Sequence, residues 1–535
     1  MESQSVGKGF TVLAFAGIAV KIMSLLYIPF LLNIIGDYGN GIYAASYQVY
    51  VLIYALSNAG MPSAISKLVS ELIAVGNRRD AIRTFKIARF MLIIFGIAMA
   101  LFMFLFARTF ANLLQFKESY LAILALSPTL LFTSISSSYR GYFQGQGNMT
   151  PTAISQVIEQ IVNTIFTLVF ASLLIRYGVV AACAGGTIGT SLGALSSAVF
   201  LVIFHKRHNS VFENISQNIS KIKRFAYGQL VKKILSYSVP ITMSIGLQYT
   251  GNLIDLGITK SRLLVAGISN VEATQMYSHL NKYQQLLNAP LSIVVALAVT
   301  ILPAIAAAVA LKDKVLISSR INLAFRLSFM VTIPSAVGFS VLSGPIFKVL
   351  GYGSGSYLMM FGSFALVFLA IVQIQTSIQQ ASGKLFTVTL ILMMGIIGKI
   401  ITDYIAISIR EINISGAVIG SIIGYLISIL LNNYFMKKNL QTDINLLKLA
   451  KKPIYSSIFM GIIVFISYNL SYVILGMINS LYARNAISAV IAIFMGIISY
   501  FFAMIKLRGI SKEEIDSLPR AVLRIIPKRI VRKIT

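Results

Sequence analysis

Long apolar runs separated by short polar breaks set the pattern of this chain. A helix needs roughly 20 predominantly apolar residues to cross the hydrocarbon core of a bilayer. About fourteen stretches qualify: 10–35, 42–66, 87–110, 119–139, 152–175, 178–204, 234–258, 280–310, 318–342, 357–380, 385–408, 413–436, 454–478 and 484–507. The run 10–35 is too long for a signal-peptide core and lacks a clear small-residue cleavage site, so it is expected as the first helix. The expected fold class is an all-α polytopic membrane protein. The longest polar break, 205–233, divides the first twelve spans into six and six. The organisation expected is a lobe of helices one to six (1–204), a cytoplasmic basic linker (205–233) and a lobe of helices seven to twelve (234–436). A cytoplasmic loop (437–453), helices thirteen and fourteen (454–507) and a basic cytoplasmic tail (508–535) complete it.

The two sixes resemble each other. Gln144-Gly-Gln-Gly147-Asn-Met-Thr-Pro151, running on to Asn163, echoes Gln380-Ala-Ser-Gly383-Lys384, running on to Lys399. An offset of 236 aligns Gly147 with Gly383 and Asn163 with Lys399. Units with an even number of helices keep the same membrane orientation, so the expected architecture is a parallel repeat, with a cleft between two lobes. Pro29, Pro240, Pro290, Pro303 and Pro334 interrupt apolar runs, where proline removes a hydrogen bond and bends the rod.

Composition and charge sharpen this picture. Of 535 residues, 57% are hydrophobic and 11% charged, more apolar surface than a soluble protein of this size could hide. The net charge of +29 is sorted by segment. Alternate polar breaks hold 34 Lys and Arg on one side against 9 on the other, while Lys21 and Lys399 lie inside apolar spans. Such a bias places the basic side, and with it both termini, in the cytoplasm. The basic loops therefore face anionic headgroups of the cell membrane, and no nucleic acid is expected as a partner. One cysteine, Cys183, excludes a disulfide framework, and three scattered His give no metal spacing. No nucleotide loop or catalytic constellation is present, so neither ATP hydrolysis nor an enzyme is expected.

Polar side chains at bilayer depth are costly and face an interior or each other. Gln156, Glu159, Gln160 and Asn163 share one face of the fifth span, and Gln248, Asn252 and Asp255 one face of the seventh. Gln284, Gln285 and Asn288 lie in the eighth, Gln373, Gln375, Gln379 and Gln380 in the tenth, and Lys399 and Asp403 in the eleventh. Lys399 and Asp403 are four apart and can neutralise each other. Lys21 has two readings, a cross-helix pair with Glu159 or a cationic contact for an anionic headgroup. The polar stripes are read as one wet cleft holding Lys21, Gln156, Glu159, Gln160, Asn163, Gln248, Asn252, Asp255, Gln284, Asn288 and Lys399; hydrogen-bond glue between helices is the competing reading. Arg140, Glu71 and Lys67 form the expected cytoplasmic gate, in which Arg140 captures an anion or pairs with Glu71. Asp255 has two readings, a pair with the nearby Lys260 or Arg262 or a site for a coupling cation; no cofactor is expected.

Ser138-Tyr-Arg140-Gly-Tyr-Phe-Gln144-Gly145, followed by Asn148-Met-Thr-Pro151 and Ser155-Gln156-Val-Ile-Glu159-Gln160, is the most specific stretch. Gly41-Ile-Tyr43, Gly60-Met-Pro62-Ser-Ala-Ile-Ser66-Lys67, Asn288-Ala-Pro290 and Leu302-Pro303 accompany it. Together they resemble the SpoVB/MurJ-like branch of the multidrug/oligosaccharidyl-lipid/polysaccharide exporter superfamily. The resemblance covers essentially the whole chain. It implies a flippase for undecaprenyl-pyrophosphate-linked sugars, above all lipid II, serving cell wall or spore cortex alongside cell-wall synthesis enzymes. Lys21 sits where the family's Gram-negative members place one first-helix arginine; the positions around Tyr27 and Asn58 are uncharged here. An exporter of another lipid-linked polysaccharide unit is the nearest alternative, and a cation-coupled multidrug exporter a more distant one.

Overall fold

The computed structural model describes residues 6–208, 224–311, 313–440 and 444–509. Lys312, residues 209–223 of the linker, 441–443 of the following loop and 510–535 of the tail lie outside the described residues. All regular structure among the described residues is helical. Nine stretches are long and apolar enough to cross a membrane, or eleven if two bent pairs count as one span each. That number is compatible with fourteen crossings, because the first stretch merges two predicted spans and the helices Tyr227–Val265 and Asn270–Ala310, which cover two more, are not among the eleven. This is a multi-pass membrane protein.

The chain divides into two compact units, Met1–Ser278 and His279–Thr535. The first holds α1 (Val6–Asn58), α2 (Met61–Ala74), α3 (Arg78–Leu105), α4 (Ala107–Leu113), α5 (Tyr120–Leu126), α6 (Thr129–Gly145), α7 (Thr150–Leu174), α8 (Val179–His208) and α9 (Tyr227–Val265). The division falls inside α10 (Asn270–Ala310). The second unit continues with α11 (Lys314–Val341), α12 (Ser343–Val349), α13 (Ser356–Gly362), α14 (Ala365–Ala381), α15 (Leu385–Ala406), α16 (Ser415–Leu440), α17 (Leu446–Ile474) and α18 (Leu481–Lys506).

The expected turn between the first two spans is a single break at Gly36, whose φ of 65° suits a residue without Cβ. The helix resumes at once, so Gly41 lies inside it and not in a turn. Near 59–60 the chain breaks again, and Pro62 opens α2 at a first-turn position where its missing N–H costs nothing.

The repeat runs through the element boundaries. Helices α3, α4, α5 and α6 each start and end 236 residues before α11, α12, α13 and α14. The N-cap follows: Asn77 accepts from the Asp80 amide, and Asp313 from the Leu316 amide. Both copies are bent between their fifth and sixth elements, by 41° and 53°. Gly147 and Gly383 both end a helix in the left-handed region, with φ of 76° and 74°.

The next helix pair repeats its packing register. A Cβ on Gly193 of α8 would stand 3.0 Å from the Asn163 Cβ of α7, and one on Gly424 of α16 would stand 3.0 Å from the Lys399 Cβ of α15. Gly189 faces Thr167 as Gly420 faces Asp403. Every fourth position is a glycine, so both pairs approach closely, as small residues allow in membrane helices.

Candidate functional site

The motif that stood out in the sequence occupies α6 and the first half of α7, and its charged residues meet. The Arg140 guanidinium donates from Nη2 to Glu159 Oε2 at 2.6 Å and to Ser197 Oγ at 2.8 Å, and from Nε to Ser155 Oγ at 3.0 Å. Ser197 belongs to α8, so one side chain ties three helices together. Spacing explains the geometry. Ser155 and Glu159 are four apart on α7 and face the same way. Arg140 and Glu159 are only 17% and 30% exposed, so water screens the pair weakly. The structure does not pair Arg140 with Glu71: α2 packs on α6 through Gly141 and Gly145, but the Arg140 guanidinium lies on the side of α6 that faces Ser155, Glu159 and Ser197. Glu71 instead lies 4.0 Å from Lys67, four residues earlier on α2, with both side chains largely exposed. The alternative pairing of Lys21 with Glu159 is excluded by the same geometry. Lys21 is exposed on α1 and makes no ion pair among the described residues.

The rest of the fifth-span stripe is half-buried in the first unit. Asn163 Oδ1 accepts from Thr167 and Thr190 at 3.0 and 3.2 Å, and Gln160 donates to Thr164 at 3.2 Å. Gln156 is half-buried beside them. On α9, Asn252 is exposed and Asp255 half-buried; the side chain of Gln248 lies outside the described residues.

Beside this stripe runs a feature that sequence reasoning missed. Tyr43, Tyr47, Tyr50 and Tyr54 occupy one face of α1, with neighbouring ring centroids 4.9, 6.0 and 6.0 Å apart. Tyr43 also has Tyr27 as a side-chain partner. Tyr47 meets Thr190, and Tyr50 and Tyr54 have Thr133 and Ser137 as side-chain partners. The signal was present as spacings of four, three and four, but tyrosine in an apolar run reads as packing until its hydroxyl partners are known.

The second unit places its charge elsewhere. Lys399 donates to Asp403 Oδ2 at 2.6 Å, with Asp403 fully buried against Gly420. In repeat register these two correspond to Asn163 and Thr167, while Arg140 and Glu159 correspond to Thr376 and Gly395. The ion pair on this helix thus sits at different positions in the two copies, Glu159 with Arg140 in one and Lys399 with Asp403 in the other. Gln375 and Gln379 of α14 donate to Asn433 and Asn432 of α16 at 2.7 and 2.5 Å, which makes them glue between helices. Gln284 is half-buried and Asn288 exposed on α10, and Gln285 donates to Asn281 at 2.7 Å. Among the described residues no three His, Cys, Asp or Glu side chains are grouped to hold a metal ion.

A bundle of this repeat and helix order defines a class, the transporter fold of the multidrug and lipid-flipping exporters. The structure aligns with a lipid II flippase MurJ in an inward closed conformation, at a TM-score of 0.66, 16% identity, and 93% of this chain against 99% of that one. It aligns with an inward-facing multidrug resistance MATE family transporter at 0.59 and 14% identity, covering 81% of this chain and all of that one. The chain belongs to the polysaccharide biosynthesis protein family, whose profile matches residues 6–309. Stage V sporulation protein B of Bacillus subtilis strain 168 is 28% identical over 97% of this chain and 98% of its own length. The lipid II flippase MurJ of the same organism is 26% identical over 81% and 82%.

Proposed function

We propose that this chain is a flippase that moves an undecaprenyl-pyrophosphate-linked peptidoglycan precursor, lipid II, from the cytoplasmic to the outer leaflet by alternating access, for cell wall or spore cortex. The supporting observation is the Arg140 cluster on the family's most specific motif. A guanidinium already held by one carboxylate and two hydroxyls is oriented, and a pyrophosphate oxygen can replace Glu159 as its acceptor in like geometry. Lys67, exposed midway along α2, offers a first cationic contact. The Gln and Asn side chains of α7, α9 and α10 supply both donors and acceptors for sugar hydroxyls. The lipid tail stays in the bilayer while the head crosses.

The inside-negative potential supplies a drive without nucleotide hydrolysis. Two negative charges moved outward through roughly 100 mV gain about 2 × 2.3 kcal/mol. Both termini face the cytoplasm in this reading, and the chain works beside the enzymes that make and polymerise the precursor. The alternative cargo is another lipid-linked polysaccharide repeat unit. Depletion of the protein, followed by identification of the undecaprenyl intermediate that accumulates, decides between them. Accumulation of lipid II supports the reading, accumulation of a different sugar carrier supports the alternative, and no accumulation refutes both.

A further inference from the structure

Two glycines near opposite ends of one helical rod bring backbones together where a side chain would not fit. Gly41 and Gly60 are 19 residues apart, about 28 Å at 1.5 Å per residue, close to the thickness of the hydrocarbon core. Both make their contact within the first unit. A Cβ on Gly60 would collide with the Ser238 carbonyl oxygen of α9 and stand 2.6 Å from Thr242 Oγ1. A Cβ on Gly41 would collide with the Thr274 carbonyl oxygen of α10 and stand 2.7 Å from its Cγ2.

Side chains fasten each contact. At the Gly60 end, the Lys67 ammonium lies 4.1 Å from the centre of the Tyr237 ring, and the Tyr237 hydroxyl donates to Glu71 at 3.5 Å. At the Gly41 end, Asn40 donates to Ser278 at 2.8 Å. Lys260, fully buried, donates to the Asn270 carbonyl at 2.9 Å and to Thr274 Oγ1, with its ammonium 4.4 Å from the centre of the Phe116 ring. Asn270 donates in turn to Glu118 at 3.3 Å.

We propose that Gly41 and Gly60 are the seats of two closures that open in alternation, and that the missing Cβ at each sets the balance between them. The helix from residue 37 to 58 is held at both ends against α9 and the start of α10. It cannot swing away at one end without breaking the contact there. A carrier that exposes its interior to one side at a time must break one contact and keep the other. This rests on the transporter reading above, but its test reads contact and not transport, so the two can fail separately.

The test uses the full chain with Cys183 replaced by alanine, in membranes, and a short bifunctional thiol reagent. One reporter pair is Asn40→Cys with Ser278→Cys, the other Lys67→Cys with Tyr237→Cys. Gly60→Ala should lower the yield of the second pair about threefold or more and spare the first, and Gly41→Ala should do the reverse. Equal loss at both ends, or no loss at either, overturns the proposal. A second measurement needs no glycine variant, should one fail to accumulate. Closing Asn40→Cys to Ser278→Cys should raise maleimide labelling of Thr242→Cys about threefold; unchanged labelling also overturns it.

Discussion

Replacing Glu159 by glutamine separates the two things the Arg140 cluster can do. The change keeps the side chain's size and removes its charge, so Arg140 keeps Ser155 and Ser197 but loses a 2.6 Å charged acceptor. Removing one member of a buried pair costs about 3–5 kcal/mol, and a hydrogen bond to a charged group contributes about 1.5–3. With the partners 17% and 30% exposed, and an amide oxygen still able to accept, the loss should fall near 2 kcal/mol, about a thirtyfold change in the opening equilibrium. Arg140→Met should cost as much, because it leaves Glu159 charged and unpartnered. The double variant Arg140→Met/Glu159→Gln should recover most of the stability. Cys183 gives the assay. It is the sole cysteine, is fully buried and sits on α8, the helix that Arg140 grips through Ser197. Its rate of labelling by a thiol dye in detergent reports opening of this bundle. Rescue of a flippase-depleted strain reports transport. The double variant is expected to be stable and inactive. If it rescues growth as the parent does, Arg140 is a strut and the pyrophosphate role is lost.

Other outcomes follow from the same geometry. Gly420→Ala should lower the thermal stability of the detergent-solubilised protein by several degrees, because its methyl would overlap Asp403 Oδ1; Asp403→Asn at the Gly420 parent should do likewise by stranding the Lys399 ammonium, and an unchanged melting curve for both would contradict the buried pair. Tyr47→Phe should cost about 1 kcal/mol by removing the hydroxyl that meets Thr190, and Tyr47→Leu more, measured by Cys183 labelling. Lys260 lies two residues beyond the predicted span 234–258, and burial pushes its ammonium down to about 8 against the pull of Glu118. A value lowered from 10.5 means that the closed contact holds the proton less well than the open one, so closure should strengthen as pH rises from about 8 towards 10.5. Cross-linking of Asn40→Cys to Ser278→Cys, corrected for thiol ionisation, should rise over that window and lose the rise in Lys260→Met.

Much of this protein is decided by the order of its residues. Each predicted span overlaps a helix, because in a bilayer every backbone group must be satisfied within its own segment and length and apolarity are sufficient signals. The repeat was legible at Gly147 and Gly383, since only the backbone's need for a left-handed residue kept glycine at both. The pairing of Lys399 with Asp403 was legible for a similar reason: four residues on one helix fix a neighbour. Partners on different helices were not. Arg140 was expected to face Glu71 and Lys21 to face Glu159, but the side of α6 on which Arg140 lies gives it Glu159 of α7 and leaves Glu71 to Lys67. Nor could spacing say that Gln375 and Gln379 fasten α14 to α16, or that Tyr47 and Asn163 share Thr190. Local periodicity fixes which face a side chain occupies. Which helix stands opposite that face depends on the whole bundle, and there the tertiary structure alone decides.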